Sequence, residues 1–330
     1  VNYGENAKKF PMVGGDYNFF SKGINSKFGA VYGWTTVIQR LIWGAMSTLA
    51  FVLYFRNMFP GINILVPIIA YFLFGFICSW FGLKLSTRVM YALWVIQLFA
   101  LFWPGTVGLL WTMANIPHIG DQLFKLTFTP AGAMSGLMGV AGGAILTFIT
   151  YGGFEMPSYM CEEIRGGGKA AEVATILSAI LVGLMSVGIT YLWMVPVTPE
   201  LLPNVVSAGS PLFVILDFIH YPIAIWAVFI AVELSALANQ LAFITSNSRI
   251  FLAMARDGIF PSAYTKRNKY GTPSVGLVHA VLMTIWGLAV GLWTGMPAVV
   301  GLASVTIAFK YILASIVHCL LYTSPSPRDR

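Results

Sequence analysis

The stretch that decides the fold is "ITYGGFEMPSYMCEEIRGGG", residues 149–168. It ends an apolar run long enough to cross a membrane, yet it places Gly152 beside Gly153 and follows them closely with an acid, Glu155. Each glycine costs a helix about 1 kcal/mol relative to alanine, and a backbone amide freed inside lipid must find another partner. Because such a break is tolerated where it lines a cavity, the stretch predicts a ligand site inside a membrane helix.

The composition of the whole chain indicates the same environment. Of its 330 residues, 58% are hydrophobic and 9% are charged, and the mean hydropathy is +0.79. A soluble domain carries roughly 25% charged residues. We therefore predict an all-α integral membrane protein with the lipid bilayer as its main solvent.

Apolar stretches of membrane-crossing length recur along the chain between polar interruptions. They predict about eight transmembrane helices, at 34–55, 62–81, 89–113, 135–157, 173–195, 212–247, 275–294 and 298–322. The sixth is long enough to continue past the bilayer as a helix through 246–258, where Gly258 ends it.

The distribution of basic residues predicts the orientation. With residues 1–33 in the cytoplasm, most lysines and arginines fall on the cytoplasmic side, and the external loops hold Arg56 and Lys125. The net charge of +7 is thus explained by topology, and no nucleic-acid partner is expected. We predict a multi-pass protein of the cell membrane. The polar residues 323–330 are expected to be a non-native or disordered tail.

Several chemistries find no support in the sequence. The three cysteines lie in or at the ends of spans, and the four histidines lack metal-ligand spacing. Phosphate-binding and serine-nucleophile motifs are absent. We predict no enzyme activity, no metal site and no cofactor.

Four ionisable residues fall within predicted spans, where a charge costs roughly 2.5 to 3.5 kcal/mol at the bilayer centre. Arg40 is close enough to the cytoplasmic end to extend its guanidinium into water. Lys310 and Glu233 are expected either to pair with each other structurally or to serve function. Glu155 lies beside the break, which favours a functional role.

An opened helix exposes amide nitrogens at the start of its second half and carbonyls at the end of its first half, and together these suit a zwitterion. The predicted substrate-binding residues are Tyr151, Gly152, Gly153, Phe154 and Glu155. The alternative is that the glycines only let a neighbouring helix approach.

Several motifs resemble a known family, the amino acid permeases of the amino acid, polyamine and organocation superfamily. They are "YGGFE" and "CEEIR" around the break, "ELSALANQLAFITSNSRIFLAMARDGIFP" at 233–261, "GTP" at 271–273, and "PMVGGDYNFFSKGINSKFGAVYGW" at 11–34. A triple glycine, 166–168, stands where the family commonly has Asn-Pro, and two glycines at the break stand where one is usual.

The resemblance implies a leucine-transporter-type inverted-repeat bundle, present here as the family's third to tenth spans. Residues 1–33 then form a cytoplasmic segment that joins spans, and 34–322 form the transporter domain. Its first repeat is partial and extends to about 113, and its second covers about 135–322.

The resemblance further implies secondary active transport of amino acids by alternating access. Transport of a polyamine or another organocation, or a channel, are the alternatives. Gating or coupling is expected at Glu155, Glu233, Ser235 and Asn239. The coupling ion stays open between a proton on Glu155 or Glu233, Na⁺ at Ser235 or Asn239, and exchange without an ion.

Overall fold

The computed structural model describes residues 1–116, 144, 151–198 and 200–323, and this part of the chain is almost entirely helical. The first five helices are α1 (Asn2–Lys9), α2 (Asp16–Gly23), α3 (Ser26–Met58), α4 (Leu65–Trp80) and α5 (Leu83–Asn115). After the undescribed stretch come α6 (Met156–Tyr159), α7 (Gly167–Met194), α8 (Leu202–Ser207), α9 (Pro211–Phe218), α10 (Ile223–Arg256), α11 (Ser274–Thr294) and α12 (Met296–Thr323). Short 3₁₀ turns occupy Cys161–Glu163 and Ser262–Thr265.

Six of the described helices, α3, α5, α7, α10, α11 and α12, are long and apolar enough to cross a membrane. Their outer faces remain apolar, as on α7, where Leu184 and Val187 are 68% and 71% exposed. Exposed side chains of this kind fit a lipid surface. The prediction of an all-α multi-pass membrane protein is confirmed.

Two predicted spans need separate comment. The span at 62–81 is the shorter helix α4, which has 16 residues. Most of the span at 135–157 lies outside the described residues.

The predicted span at 212–247 is wrong at its start. The structure divides it into α9 and α10, with His220 at a φ of 53° and Pro222 immediately before α10. Proline has no amide hydrogen and disfavours helix in the residue before it, which together with the positive φ of His220 ends the helix at this point. The predicted continuation beyond 247 is confirmed, because α10 remains helical to Arg256.

Helix α10 lies at the centre of the bundle and packs against α3, α4, α5 and α11. It runs parallel to α4 in a constant register. The Tyr71 hydroxyl donates to the Ala236 carbonyl at 3.1 Å, and two turns later the Ser79 and Thr245 hydroxyls lie 3.1 Å apart. This register places each side chain of α10 relative to α3 and α4.

Charged residues gather at one end of the bundle. Glu162 pairs with Arg256 at 2.7 Å, and Lys22 pairs with Asp257 at 2.9 Å. Burial opposes ionisation of Asp257, but hydrogen bonds from Lys22, Tyr17 and Ser21 outweigh it and lower the pKa of this carboxyl. This end holds residues assigned to the cytoplasm from the sequence. The orientation itself stays a prediction.

Candidate functional site

From residue 151, where the described part of the glycine-rich stretch begins, the backbone is non-helical through 152–155, and the two glycines differ in role. Gly153 has a φ of +106°, which a residue with a side chain rarely adopts, and a Cβ there would meet open space. At Gly152 a Cβ would overlap the indole ring of Trp43 on α3. Gly153 therefore supplies a backbone turn, and Gly152 permits close approach of α3.

The helix that follows the glycine turn is short. Helix α6 has four residues, includes Pro157 and gives way to a turn at Met160. The amide of Gly153 donates to its own neighbour Glu155 at 3.0 Å. An extended half-helix whose dipole faces a ligand is therefore absent from the described residues. The amides here are organised by the Glu155 side chain.

Glu155 is 2% exposed and accepts strong hydrogen bonds from α12. Lys310 Nζ donates to Oε1 at 2.8 Å, and the Tyr311 hydroxyl donates to Oε2 at 2.8 Å. Arg40 Nη2 lies 3.7 Å from Oε1. The carboxylate thus joins the break to α12 and α3 and is compensated by two cations.

Lys310 is held by a second acid as well. Its Nζ lies 3.1 Å from Asp16 Oδ2 and donates to the Tyr159 hydroxyl at 2.9 Å, so three oxygen atoms surround it. Asp16, fully buried in α2, also accepts from Tyr3 and Tyr32. Lys310 therefore links the break to the segment 1–33. The predicted pairing of Lys310 with Glu233 is wrong.

Arg40 completes this charge cluster, which consists of Asp16, Arg40, Glu155 and Lys310. It is 3% exposed, its Nη1 donates to Ser246 at 2.6 Å, and its guanidinium lies 4.2 Å from the ring centroid of Tyr159. The expectation that Arg40 extends into water is wrong, because Ser246, Tyr159 and Glu155 hold the guanidinium inside. The cluster contains two acids and two bases, so its formal charges cancel.

The face of α3 that meets the break carries polar atoms without partners. Gln39 Oε1, Trp43 Nε1 and Ser47 Oγ are buried and find no hydrogen-bond partner among the described residues. Their spacing of four residues puts them on one side of the helix. Since buried polar atoms are normally satisfied, this side suits a polar ligand or a further polar segment.

Tyr151 and Phe154 lie on the other side of the break. They line an open cavity of about 340 Å³ together with Tyr3, Tyr311 and Ser315. The Phe154 ring contacts the rings of Tyr3 and Tyr311, with centroids 5.8 and 5.0 Å away. The five predicted substrate-binding residues are consecutive in the sequence, and the structure places their segment between α3 and α12. Their role in binding stays a prediction.

The predicted coupling residues of α10 do not form one group. Ser235 and Asn239 line an open cavity of about 540 Å³, together with Thr87 and Gln97 of α5. Glu233 lies on a different face of α10, which contacts α4 through Ala236 and Tyr71. Any ion held by Ser235 and Asn239 would therefore not be shared with Glu233.

Two residues of the cluster and the break were missed by sequence reasoning. Asp16 was placed in a cytoplasmic segment, and Trp43 was treated as part of an apolar span. An acid immediately before the aromatic run "YNFF" is a signal that its side chain is enclosed. Trp43 offered no such signal, because its role depends on the absence of a side chain at Gly152.

Membrane-length helices packed around a helix break with compensated buried charge define a polytopic membrane protein with an internal polar site. The sequence profile described as "Amino acid permease" matches residues 2–328, so the chain belongs to the amino acid permease family. This family consists of membrane transporters and not enzymes.

Individual relatives are distant. The uncharacterized transporter YcgH of Bacillus subtilis is 27% identical over 80% of this chain and 58% of its own length. The low-affinity putrescine importer PlaP of Escherichia coli K12 is 21% identical over 84% of this chain and 61% of its own. A D-serine/D-alanine/glycine transporter of Escherichia coli O6:H1 is 21% identical over 90% and 63%. The chain therefore spans about three fifths of the length of these curated relatives.

Proposed function

We propose that the protein carries amino acids across the cell membrane by alternating access, with the substrate bound at Tyr151–Glu155. The observation that carries this proposal is the non-helical turn at 152–155 together with polar atoms of α3, at Gln39, Trp43 and Ser47, that find no partner in the part of the chain that the structure describes. A substrate amino or carboxyl group at the break would satisfy such atoms. Family membership supports transport as the activity.

The charge cluster supports a substrate that carries no net charge. Glu155 is already neutralised by Lys310 and Arg40, and Asp16 is neutralised by Lys310. The described half of the site thus holds no spare carboxylate for a second amino group. A zwitterion needs hydrogen-bond donors for its carboxylate and acceptors for its one amino group, with no further charged group to compensate. A neutral amino acid therefore fits best.

A small diamine is the second candidate substrate. The observation that favours it is the similarity to PlaP, which is named as a putrescine importer. A diamine would need a carboxylate that the cluster does not engage, and within the described residues Glu233 is the buried acid of that kind.

The cluster also supports an inner gate. Lys310 holds Glu155 and Asp16 at the same time, at 2.8 and 3.1 Å, so the break cannot move away from α2 while both contacts last. We infer that opening toward the cytoplasm separates this pair of contacts. Glu155 then acts in gating through its charge and its hydrogen bonds.

Substrate counterflow tests this function in proteoliposomes that contain the full-length protein. Saturable exchange of a labelled neutral amino acid is expected, with weaker competition from lysine and putrescine. The variant Glu155→Gln should keep binding within about threefold and slow exchange by about tenfold or more, because the lost interaction is one that gating changes. Glu200→Gln, at an exposed acid, is the matched control.

Two results would contradict the proposal. Flux that never saturates and shows no counterflow indicates a channel. Preference for putrescine over every neutral amino acid would contradict the proposed substrate class but not the proposed carrier mechanism.

A further inference from the structure

Glu233 is a second buried acid, and its surroundings differ from those of Glu155. It is 7% exposed, and neither carboxyl oxygen has a hydrogen-bond partner among the described residues. Its position, ten residues after the start of α10, corresponds to about 15 Å along the helix, which is half of a hydrocarbon core about 30 Å thick. With one membrane surface placed at the start of α10, Glu233 lies near the middle of the membrane.

Among the described helices packed on α10, no cation compensates Glu233. Tyr71 of α4 is the titratable side chain that faces it, and this hydroxyl already donates to the Ala236 carbonyl. On α3, Arg40 is bound to Ser246, thirteen residues or about 20 Å further along α10, and Arg56 is exposed.

The remaining neighbours of α10 place their charges at its ends. On α5, Lys84 and Arg88 lie in the first two turns, at the end where α10 finishes. His279 of α11 stacks on Phe251, and Lys22 of α2 pairs with Asp257. On α9, Asp217 is exposed. Glu233 is therefore electrostatically isolated within the described part of the chain.

An isolated carboxylate at this depth is unstable relative to the neutral acid. Removing an unpaired ion from water is so unfavourable that a buried group normally neutralises by taking up a proton. A metal cation is a poorer solution, because hard cations take about six or more oxygen ligands. Beside the Glu233 carboxylate, the next unpartnered side-chain oxygen on this face of α10 among the described residues is Gln240 Oε1, two turns further along the helix. A single tyrosine hydroxyl, that of Tyr71, does not complete a coordination shell. The amide of Gln240 packs directly on Gly75.

We propose that Glu233 is the proton carrier of this transporter, a role that rests on the transport function proposed above. In the structure described, the side chain is a neutral carboxylic acid. When the bundle rearranges and water reaches Glu233, the O–H bond breaks, the proton passes to water and a carboxylate remains. The return step takes a proton from water on the other side of the membrane, so no oxidation or further reactant is involved.

This assignment separates the two acids that sequence reasoning left open. Glu155 receives donors from Lys310, Tyr311 and Gly153, and these hold it as a carboxylate. Ser235 and Asn239 lie on another face of α10 and could serve a sodium ion without involving Glu233. Coupling to protons and coupling to sodium therefore depend on different residues and can be tested separately.

The test uses full-length protein in proteoliposomes with an internal pH dye and no sodium. When the outside is about one pH unit more acidic than the inside, uptake of one proton with each substrate molecule supports about tenfold accumulation of the substrate inside. We expect this accumulation and a substrate-dependent internal acidification in the wild type. In Glu233→Gln, which mimics the neutral acid, both should disappear while counterflow without a gradient persists. Glu200→Gln should match the wild type in every assay.

Further variants keep the outcome clear. Glu233→Asp retains a titratable group and should retain accumulation, and a melting temperature of Glu233→Gln at or above that of the wild type shows that it folds. Gradient-driven accumulation by Glu233→Gln would overturn the proposal. So would wild-type counterflow that ignores the proton gradient, a result that leaves the proposed transport function standing. Absence of counterflow in the wild type would instead contradict the transport function itself.

Discussion

Glu155 and Glu233 are both buried acids in the same bundle, yet their environments are opposite. Glu155 accepts from Lys310, Tyr311 and a backbone amide, with Arg40 nearby, whereas Glu233 has no partner among the described residues. Away from water, an ionised carboxylate persists only where donors and cations surround it. Burial alone therefore does not define the role of an acid. Its partners decide whether it holds structure or exchanges protons.

The largest effect should come from removing the shared cation of the cluster. Lys310→Met leaves Asp16 and Glu155 buried with Arg40 as their remaining cation. Removing one member of a buried ion pair costs about 3–5 kcal/mol. We expect a marked loss of thermal stability in detergent, or failure to accumulate in the membrane. Glu233→Gln, which removes no partner from any residue, should be neutral or stabilising.

A rescue variant sharpens this comparison. Asp16→Asn added to Lys310→Met leaves one acid, Glu155, with the one remaining cation, Arg40, and should restore part of the lost stability. If Lys310→Met melts at the wild-type temperature, the contacts of Lys310 with Glu155 at 2.8 Å and with Asp16 at 3.1 Å do not contribute to stability. The proposed energetic difference between Glu155 and Glu233 would then be wrong.

The two glycines of the break provide a second comparison. Gly152→Ala would force a methyl group into the Trp43 ring, and overpacking of this kind typically costs about 1–3 kcal/mol. Gly153→Ala meets no neighbour but must adopt a φ of +106°, at a cost of about 1–3 kcal/mol. Both should weaken binding of a labelled amino acid, measured at equilibrium.

The two costs can be told apart by their remedies. Trp43→Leu should restore the stability of Gly152→Ala and leave Gly153→Ala unchanged. Gly153→Asn should be milder than Gly153→Ala, because asparagine tolerates positive φ better. If Trp43→Leu rescued both glycine variants, steric contact with Trp43 would explain the loss of stability in both of them. The positive φ of Gly153 would then not be required.

Sequence reasoning predicted features that depend on local pattern. The apolar stretches gave membrane-length helices, and the glycine pair gave the break at 152–153. The partners of the buried charges depend on which faces meet across the bundle. Pairing of Lys310 with Glu233 is one of the two alternatives that the sequence offers, because both residues are intramembrane and opposite in charge. The structure instead turns Glu233 toward α4 and Lys310 toward Glu155, and no spacing along the chain encodes this choice.

Local chemistry also explains the other errors. Arg40 is near enough to a helix end to reach water, but the competing partners Ser246 and Glu155 come from distant parts of the chain. The division before α10 could have been predicted from Pro222, because proline is a local signal. The aromatic residues after Asp16 signal that it is enclosed, but its partners Lys310, Tyr3 and Tyr32 are chosen by the packing of the bundle and could not be predicted.

The smallest effect is expected at the charged end of the bundle, where Glu162 offers a contrast with Glu155. Its ion pair with Arg256 is 2.7 Å long, but the two side chains are 30% and 43% exposed. Partial burial opposes ionisation of Glu162. Hydrogen bonds from Arg256 and the Val13 amide, with the charges of Arg256 and Arg267, outweigh it and lower its pKa.

A lowered pKa in the folded state means that the folded protein holds the Glu162 proton less tightly than the unfolded chain does. The stabilisation is therefore complete above the ordinary glutamate pKa of about 4.3 and is lost as the pH falls through the lower, folded value. At neutral pH we expect Glu162→Gln to cost about 0.2–1 kcal/mol, less at high salt, since solvent screens this pair. Melting temperatures of the variant and the wild type, measured from pH 7 down to about 4 and below, should converge as Glu162 of the wild type becomes protonated. A difference in melting temperature that persists unchanged in acid would contradict this prediction. It would mean that Glu162 contributes to stability through packing and the Val13 contact and not through its charge.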